Sequence, residues 1–474
     1  MIVLGIDLAT ADVRVQAVDA ATGALVAERR APLPVRTDAG PNARMQPARH
    51  GVLSRELTAL VAGDLGGRAG EVRALSITGT SGTVVPTDAR GVPVGDAVLY
   101  DDPRGANELR RLADAGIVTR PLGALARAAW MHAVSPADRY VFTPDVVAAA
   151  FARALLPSDT SHALKSGIDP VTTRFDLAAL DVLGLPEERM PQLVPPGTII
   201  GEVDDPAALG LAGPVAIVAG MTDGSTGQIA TGAVSAGDTV GVLGTTLVLK
   251  AVSAHEVIDT GAGVYSHGAP DGLFWPGGAS NTGAGVLRYG LTADIDPVSA
   301  ADAIAGHGPS RIVTYPLARR GERFPVAEPG FAGFSVDMAG RPREAATSTE
   351  RFRAVYEGVA LVERLGLERL SALGITLARH HVAGGAAASE VWNIIRASAL
   401  DRPVLVVAGA GSARGAAALA AAAIGGEPLA DVAARFTRVR TTVDPDPQLS
   451  AALNDRYGVL REQLAVLSTH APPR

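Results

Sequence analysis

Apolar residues fill nearly every position from Ile2 to Leu8, where IVLGIDL admits one charge, Asp7. A short continuous apolar run of this kind reads as a strand buried on both faces. Strands over 13–19 and 24–31 follow, and DAATG between them supplies the Asp and Gly of a hairpin turn. Apolar spacing then predicts an amphipathic helix over 47–63. VRALSIT (72–78) predicts another strand, which runs into the Gly/Ser/Thr loop GTSGT. The second half restarts this pattern. DTVGVLGTTLVLKAV (238–252) reads as two strands around a Gly-Thr turn, and GVYSHGAP with GLFWPGG continues the sheet. SNTGAGVLRYGL opens a helix, and 449–468 reads as a long amphipathic helix.

Two halves that each open with strands around a Gly/Thr turn suggest a duplicated ββα-type domain. The expected fold class is therefore α/β, with two ribonuclease-H-like (actin-like ATPase) domains and a central cleft for nucleotide. The boundary is expected near 233–238, dividing the chain into 1–235 and 236–474. Composition narrows the function classes. With 474 residues, 47% of them hydrophobic and 19% charged, the chain is globular and long enough for large cores. A net charge of −7 offers no basic face for nucleic acid. The absence of cysteine excludes disulfides and thiolate metal sites. No apolar run reaches the roughly 18 residues of a membrane span. MIVLGIDLAT lacks a basic n-region and a cleavage site, so a cytoplasmic protein without a membrane partner is expected.

Several segments combine glycine, hydroxyls and carboxylates. In GIDLATADVR, Asp7 ends a buried strand and Thr10 lies in the turn. The carboxylate can orient a magnesium-bound water and the hydroxyl can donate to a phosphate, although a turn Asp satisfying local amides fits equally. In LGTTLVLK, Gly244 lets backbone amides approach an anion and Thr245 and Thr246 add hydroxyls; an ordinary hairpin turn is the alternative. In HVAGGAAASEVWNIIRAS, Gly384-Gly385 lets a flat ring lie against backbone before a helix, with Trp392 as core. VLVVAGAGSARG reads strand, Gly-x-Gly, helix, but its third glycine falls one place late for a dinucleotide fingerprint. GTSGT offers Thr80, Ser81 and Thr83 to a polyol, and LYDDPRG adds Tyr100, Asp101, Asp102 and Arg104. The histidines show no metal-ligand spacing, and neither a Walker A motif nor a nucleophile elbow is present. One carboxylate stands apart: Asp223, within VAGMTDGSTGQIATG, surrounded by small residues directly after an apolar run.

Together and in this order, these segments resemble the FGGY carbohydrate kinases over nearly the whole chain. GIDLAT is similar to the first phosphate loop of that family, SITGTSGT to the sugar-loop segment, and DPRG to N-D-x-R-A. AGMTDGSTGQIATGAVSAGD resembles the loop bearing the catalytic Asp, LGTTLVLK the second phosphate loop, and HVAGGAAASEVWNIIRA the adenosine segment. GTSGTVV, SHALKSGIDP, GGASNTGAGVLRYG and YPLARRGERFPVAEP resemble the D-ribulokinase-like (xylulokinase-like) branch of cyanobacteria and plants.

The resemblance implies an ATP- and Mg2+-dependent kinase acting on a ketopentose, D-ribulose before D-xylulose. Asp223 is implied as the base, and Asp7 as the residue that orients magnesium through water and touches the sugar. Thr80, Ser81, Asp102 and Asp223 are implied on the sugar side. Thr10, Gly244, Thr245, Gly384, Gly385 and Ser389 are implied around ATP. Lys165 is expected in a structural salt bridge or the sugar loop. The branch suggests a monomer or homodimer. The chain departs from the family pattern at Ala9 (glycine), Ala11 (serine), Asp101 (asparagine), Ala386 (glycine) and Ser389 (asparagine), and the family's Glu near the Ala-rich helix is absent around Ala410. Alternatives are another polyol kinase, or a sugar-independent actin-like nucleotide-binding module, which would not require a hydroxyl cluster such as GTSGT.

Overall fold

The computed structural model of the chain describes residues 1–33, 46–118, 120–288, 301 and 304–469. The chain forms two compact units. The first comprises Met1–Val234, His267–Phe274 and Ala410–Thr437; the second comprises Ser235–Ser266, Trp275–Gly409 and Arg438–Arg474.

The first unit is built on a six-stranded sheet in the order Leu25–Pro32, Asp12–Asp19, Ile2–Leu8, Val72–Gly79, Ala216–Val218, Ile199–Glu202. The first three strands form an antiparallel meander, whereas Ile2–Leu8, Val72–Gly79 and Ala216–Val218 run parallel. The continuous apolar run at 2–8 is explained by this central position, because a strand with neighbours on both sides and cover on both faces exposes almost nothing. Ile2, Leu4 and Ile6 join Leu57, Val61, Val147 and Phe151 in one core cluster, supplied by the helices Pro47–Leu65 and Thr143–Ala152. The other face, shared by Gly5 and Asp7 through strand alternation, meets the helix Ser412–Gly425.

This last contact is unusually close. A Cβ on Gly5 would stand 1.8 Å from the Ala413 carbonyl oxygen, and a Cβ on Gly415 would stand 1.7 Å from that of Thr226. The helix SARGAAALAAAAIG thus lies backbone-to-backbone on the central strand and on the helix Asp223–Thr231. Its run of alanines allows this approach, since a longer side chain would hold the backbones apart.

The second unit repeats the scheme. Asp238–Leu243 pairs antiparallel with Leu247–Ala251 across the Gly-Thr turn, and parallel with Arg379–Ala383, which continues to Val404–Val407 and Val439–Val443. Beneath the central strand lies a buried ionic brace. Arg396, on the helix Glu390–Leu400, donates to both oxygens of Glu363 (2.7 and 2.6 Å) and to the Gly241 carbonyl (2.9 Å). His380 Nε2 lies 3.0 Å from Glu363 Oε1, and its Nδ1 lies 2.8 Å from the Thr239 hydroxyl. Burial alone would raise the Glu363 pKa, but Arg396 and His380 hold it down to about 2. The helix opened by SNTGAGVLRYGL is present over Gly285–Arg288, and its continuation past residue 288 lies outside the described residues. The C-terminal helix spans Pro447–Thr469.

Gly415→Ala is expected to destabilise the protein by about 2–3 kcal/mol through overpacking. Gly458→Ala, on an open helical position, should be neutral or stabilising by up to about 1 kcal/mol. Urea unfolding of the two variants measures both signs.

Candidate active site

In the first unit three parallel strands end side by side, the position at which open α/β sheets present ligand-binding groups. Asp7 pairs in register with Thr78, and Gly79 bridges Thr222, one residue before Asp223. The turn after Ala216–Val218 runs tight against the neighbouring strand: a Cβ on Gly220 would lie 1.9 Å from the Ile77 carbonyl oxygen. Small residues around Asp223 are therefore required by the close approach of two strand ends.

The backbone around Asp223 is held from several directions. The Thr78 hydroxyl donates to the Met221 carbonyl (2.8 Å) and is 2.9 Å from the Thr226 hydroxyl. The Thr222 amide donates to Ser161 Oγ (3.2 Å), and the Ser412 hydroxyl donates to the Asp223 carbonyl (3.1 Å). Asp223 opens the helix Asp223–Thr231, and its Oδ1 accepts the Gly224 amide at 2.6 Å. Its side chain remains partly exposed.

Asp7 and Asp223 are electrostatically coupled. Burial, and then the Asp223 charge, push the Asp7 pKa up to about 7 against the opposing pull of Arg14. Two carboxylates that resist simultaneous ionisation form a site at which a cation is favoured. Among the described residues no three acidic or histidine groups form a metal cage. A hydrated Mg2+ needs none, because it binds through one or two carboxylates together with substrate phosphates. The Asp7–Asp223 pair fits an ion of that kind.

The remaining sugar-side residues fall into two groups. Thr80 and Thr83 hydroxyls lie 3.2 Å apart, and the buried Ser81 hydroxyl has no partner among the described residues. Lys165 reaches the Ser81 carbonyl (3.4 Å) and lies over the Tyr100 ring. Asp102, by contrast, is committed. Both its oxygens accept from Arg104, at 2.5–3.0 Å, and this pairing outweighs burial and holds its pKa below the usual range. Thr10 is exposed in the turn after the first strand.

In the second unit, the turn after Asp238–Leu243 and the segment after Arg379–Ala383 sit at the same end of paired parallel strands, with Val242 opposite Ala383. Gly384 adopts φ +91°, and a Cβ there would meet the Leu243 carbonyl oxygen at 2.5 Å. Gly385 faces open space, and Gly244 has nothing closer than 3.9 Å. Two adjacent glycines thus play different parts: Gly384 closes the strand ends together and Gly385 leaves a bare surface. Ser389 caps the helix Glu390–Leu400, its Oγ accepting the Trp392 amide at 3.3 Å. Trp392 is core, stacked on Tyr356 at 4.0 Å. The Gly244 turn is supported by the 281–285 segment: the Ala284 and Gly285 amides donate to the Gly244 and Thr245 carbonyls (2.8 and 3.0 Å). That segment is in turn held by Glu322, which accepts from Ser280, the Asn281 amide and Tyr315. The motifs GGASNTGAG and RRGERF therefore act as one scaffold.

Ser412, Arg14 and the run Ser158–His162 were not expected as site residues, although SHALKSGIDP begins at Ser161. The last is polar enough to read as a surface turn, yet all five residues are buried.

The two sheets and their strand-end sites define a two-domain actin-like ATPase fold. A xyloylose kinase from Brucella ovis matches it with a TM-score of 0.89 at 21% identity, over 99% of this chain and 100% of that one. Gluconate kinase from Lactobacillus acidophilus matches with a TM-score of 0.86 at 19% identity, over 99% and 98%. The chain is 28% identical to the xylulose kinase of Streptomyces coelicolor over 505 residues, covering 100% of this chain and 98% of that protein. Residues 239–424 match the C-terminal domain of the FGGY family of carbohydrate kinases. The chain is thus similar over its whole length to a xylulose kinase, and over residues 239–424 to the C-terminal domain of the FGGY carbohydrate kinases.

The Asp7 shift carries a stability consequence. Its folded pKa of about 7 exceeds the ordinary 3.8, so the folded state retains a proton that the unfolded chain has lost. Stability contributed by Asp7 therefore falls as pH rises from about 4 to 7. Asp7→Asn should stabilise the ligand-free protein by about 1–3 kcal/mol near pH 8 and hardly at all near pH 4. Thermal denaturation across that range tests this. A uniform effect would contradict the coupling.

Proposed function

We propose that the protein transfers the γ-phosphoryl group of ATP to a hydroxyl of a ketopentose, in the cytoplasm. The observation that carries this reading is the Asp7–Asp223 pair at adjoining strand ends, with a Ser81 hydroxyl in the neighbouring GTSGT loop that has no partner among the described residues. In this reading Asp223 accepts the proton of the attacking hydroxyl. Phosphoryl transfer proceeds through a loose transition state, so aligning the nucleophile matters more than basicity, and the rigidly held Asp223 turn suits that task. Asp7 would hold, through water, the Mg2+ that accompanies the nucleotide, and that ion would supply charge neutralisation at the phosphoryl group. The hydroxyls of Thr80 and Ser81 hold the sugar. Asp102 then acts chiefly by fixing Arg104 and its loop.

Thr10, Gly244 and Thr245 meet the phosphates. Gly385 supplies the bare surface for the adenosine, while Ser389 shapes that surface by capping the helix. D-ribulose is the substrate assigned here, on the likeness of GTSGTVV and SHALKSGIDP to the D-ribulokinase-like branch. D-xylulose is the second reading, favoured by the whole-length likeness to a xylulose kinase.

ADP release with Mg·ATP, measured against ketopentoses, aldopentoses, gluconate and glycerol with a no-sugar control, tests the assignment. Stimulation by D-ribulose supports it, stimulation by D-xylulose alone moves it to the second reading, and slow release indifferent to every sugar overturns both. Asp223→Ala should lower kcat by about 100- to 10,000-fold while nucleotide affinity is retained. The two adjacent glycines should separate in their effects. Gly385→Ala is expected to leave stability unchanged and raise the KM for ATP on the order of tenfold. Gly384→Ala should instead destabilise by about 1–3 kcal/mol, as an unfolding titration would show.

A further inference from the structure

The helix Gly123–Val134 of the first unit buries a cation that the reaction outlined above does not use. Arg127 is only 6% exposed, in a stretch of the helix where Leu125, Ala126 and Ala128 are buried and apolar. Its Nη2 donates to the Gly82 carbonyl at 3.0 Å, and its Nε is buried with no partner among the described residues. Burial lowers its pKa, and the charges of Asp102 and Asp101 oppose that fall. An apolar side chain would fill the same space without desolvating a charge, so packing gives no reason for a guanidinium at this position.

What the helix does carry is a pair of loops from the sugar side. The GTSGT turn is gripped at consecutive carbonyls: Lys165 Nζ reaches that of Ser81 (3.4 Å), and Arg127 that of Gly82. Gly82 adopts φ +89°, and a Cβ there would lie 3.0 Å from Lys165 Cδ and 3.4 Å from Arg127 Nη2, so the turn runs between the two side chains. The DDPRG loop rests on the same stretch of helix. A Cβ on Gly105 would lie 3.0 Å from the Arg127 backbone nitrogen, and the Arg104 guanidinium lies over the Trp130 ring at 4.8 Å. Beside the grip, the buried Ser81 hydroxyl has no partner among the described residues. A turn fixed at its backbone thus presents a hydroxyl whose hydrogen bonds are still to be made.

We propose that Arg127 is a positioning residue for the sugar: by holding the Gly82 carbonyl it fixes the hydroxyl of Ser81, one residue earlier, where the substrate meets it, and it ties that turn to the DDPRG loop. The proposal rests on the reading of GTSGT as the sugar loop. A hydroxyl fixed in this way meets the sugar equally in the ground state and the transition state, so its effect falls on sugar binding and not on turnover.

Arg127→Met fills much of the same space and removes the donors. The KM for the sugar should rise about 10- to 100-fold, with kcat and the KM for ATP within about threefold of the unaltered protein. Arg127→Lys, which keeps an ammonium in place of the planar fork, should raise the sugar KM only about threefold. A residue that merely packs would change the yield of folded protein and leave the sugar KM of the folded fraction unaltered; that result overturns the proposal. Where Arg127→Met fails to fold, an unchanged sugar KM in Arg127→Lys overturns it instead. In a double-mutant cycle with Ser81→Ala the two KM effects should overlap, the double variant being little worse than the more impaired single one. Effects that multiply would show that Arg127 does not act through Ser81. Calorimetric titration with the same panel of sugars separates this proposal from the reading beneath it. A sugar that binds the unaltered protein and both Arg127 variants alike removes the role of Arg127 and leaves the sugar loop standing. A protein that binds no sugar removes the sugar-loop reading and the proposal with it.

Discussion

The backbone contact of the helix Ser412–Gly425 with Gly5 and Thr226 is the constraint on which the first unit depends. Carbonyl oxygens approach to where a Cβ would stand, at 1.7–1.8 Å, so neither glycine can be replaced without displacing an element. One of these contacts fixes the strand that ends at Asp7; the other fixes the helix that begins at Asp223. The same helix places the Ser412 hydroxyl on the Asp223 carbonyl. The backbone positions from which the two carboxylates project are thereby set by rigid packing. Such packing is the kind of support that holds a reacting hydroxyl in line.

The second unit solves the corresponding problem with charge. Gly241 leaves room under the central strand for the Glu363–Arg396 pair, since a Cβ there would lie 1.9 Å from Glu363 Oε1. Arg396 ties that pair to the strand through the Gly241 carbonyl, and His380 ties it to the paired strand. A buried ion pair of this type adds little net stability over a well-packed apolar core, but losing one partner is costly. Its contribution is to lock the register of Asp238–Leu243 against Arg379–Ala383, and with it the turn at Gly244 beside Gly384-Gly385.

Much of this was legible because local rules agree with the fold. The strand at 2–8, the turns at DAATG and Gly244, and the helix at 47 follow from apolar periodicity and turn chemistry. Asp223 stood out as a lone carboxylate among small residues. What was not legible depends on contacts between distant parts of the chain. VLVVAGAGSARG reads locally as a strand–turn–helix unit, yet its strand belongs to the second unit and its helix to the first. Gly415 at its end permits that destination, but the surfaces it meets, Gly5 and Thr226, lie elsewhere in the chain. The polar run Ser158–His162 was opaque for a similar reason. Its polar groups are met partly within the run, by the His162–Asp159 pair, and partly by Thr222 and His267, distant partners that the sequence does not announce.

The electrostatics of the first unit then form a single argument. Asp7 and Asp223 oppose each other's ionisation, which destabilises the ligand-free protein above neutrality. Arg14 pulls the other way but does not offset burial and the Asp223 charge. In the reading proposed above, a cation arriving with nucleotide phosphates would relieve that repulsion, and the strain present in the ligand-free site would become affinity for the metal–nucleotide pair.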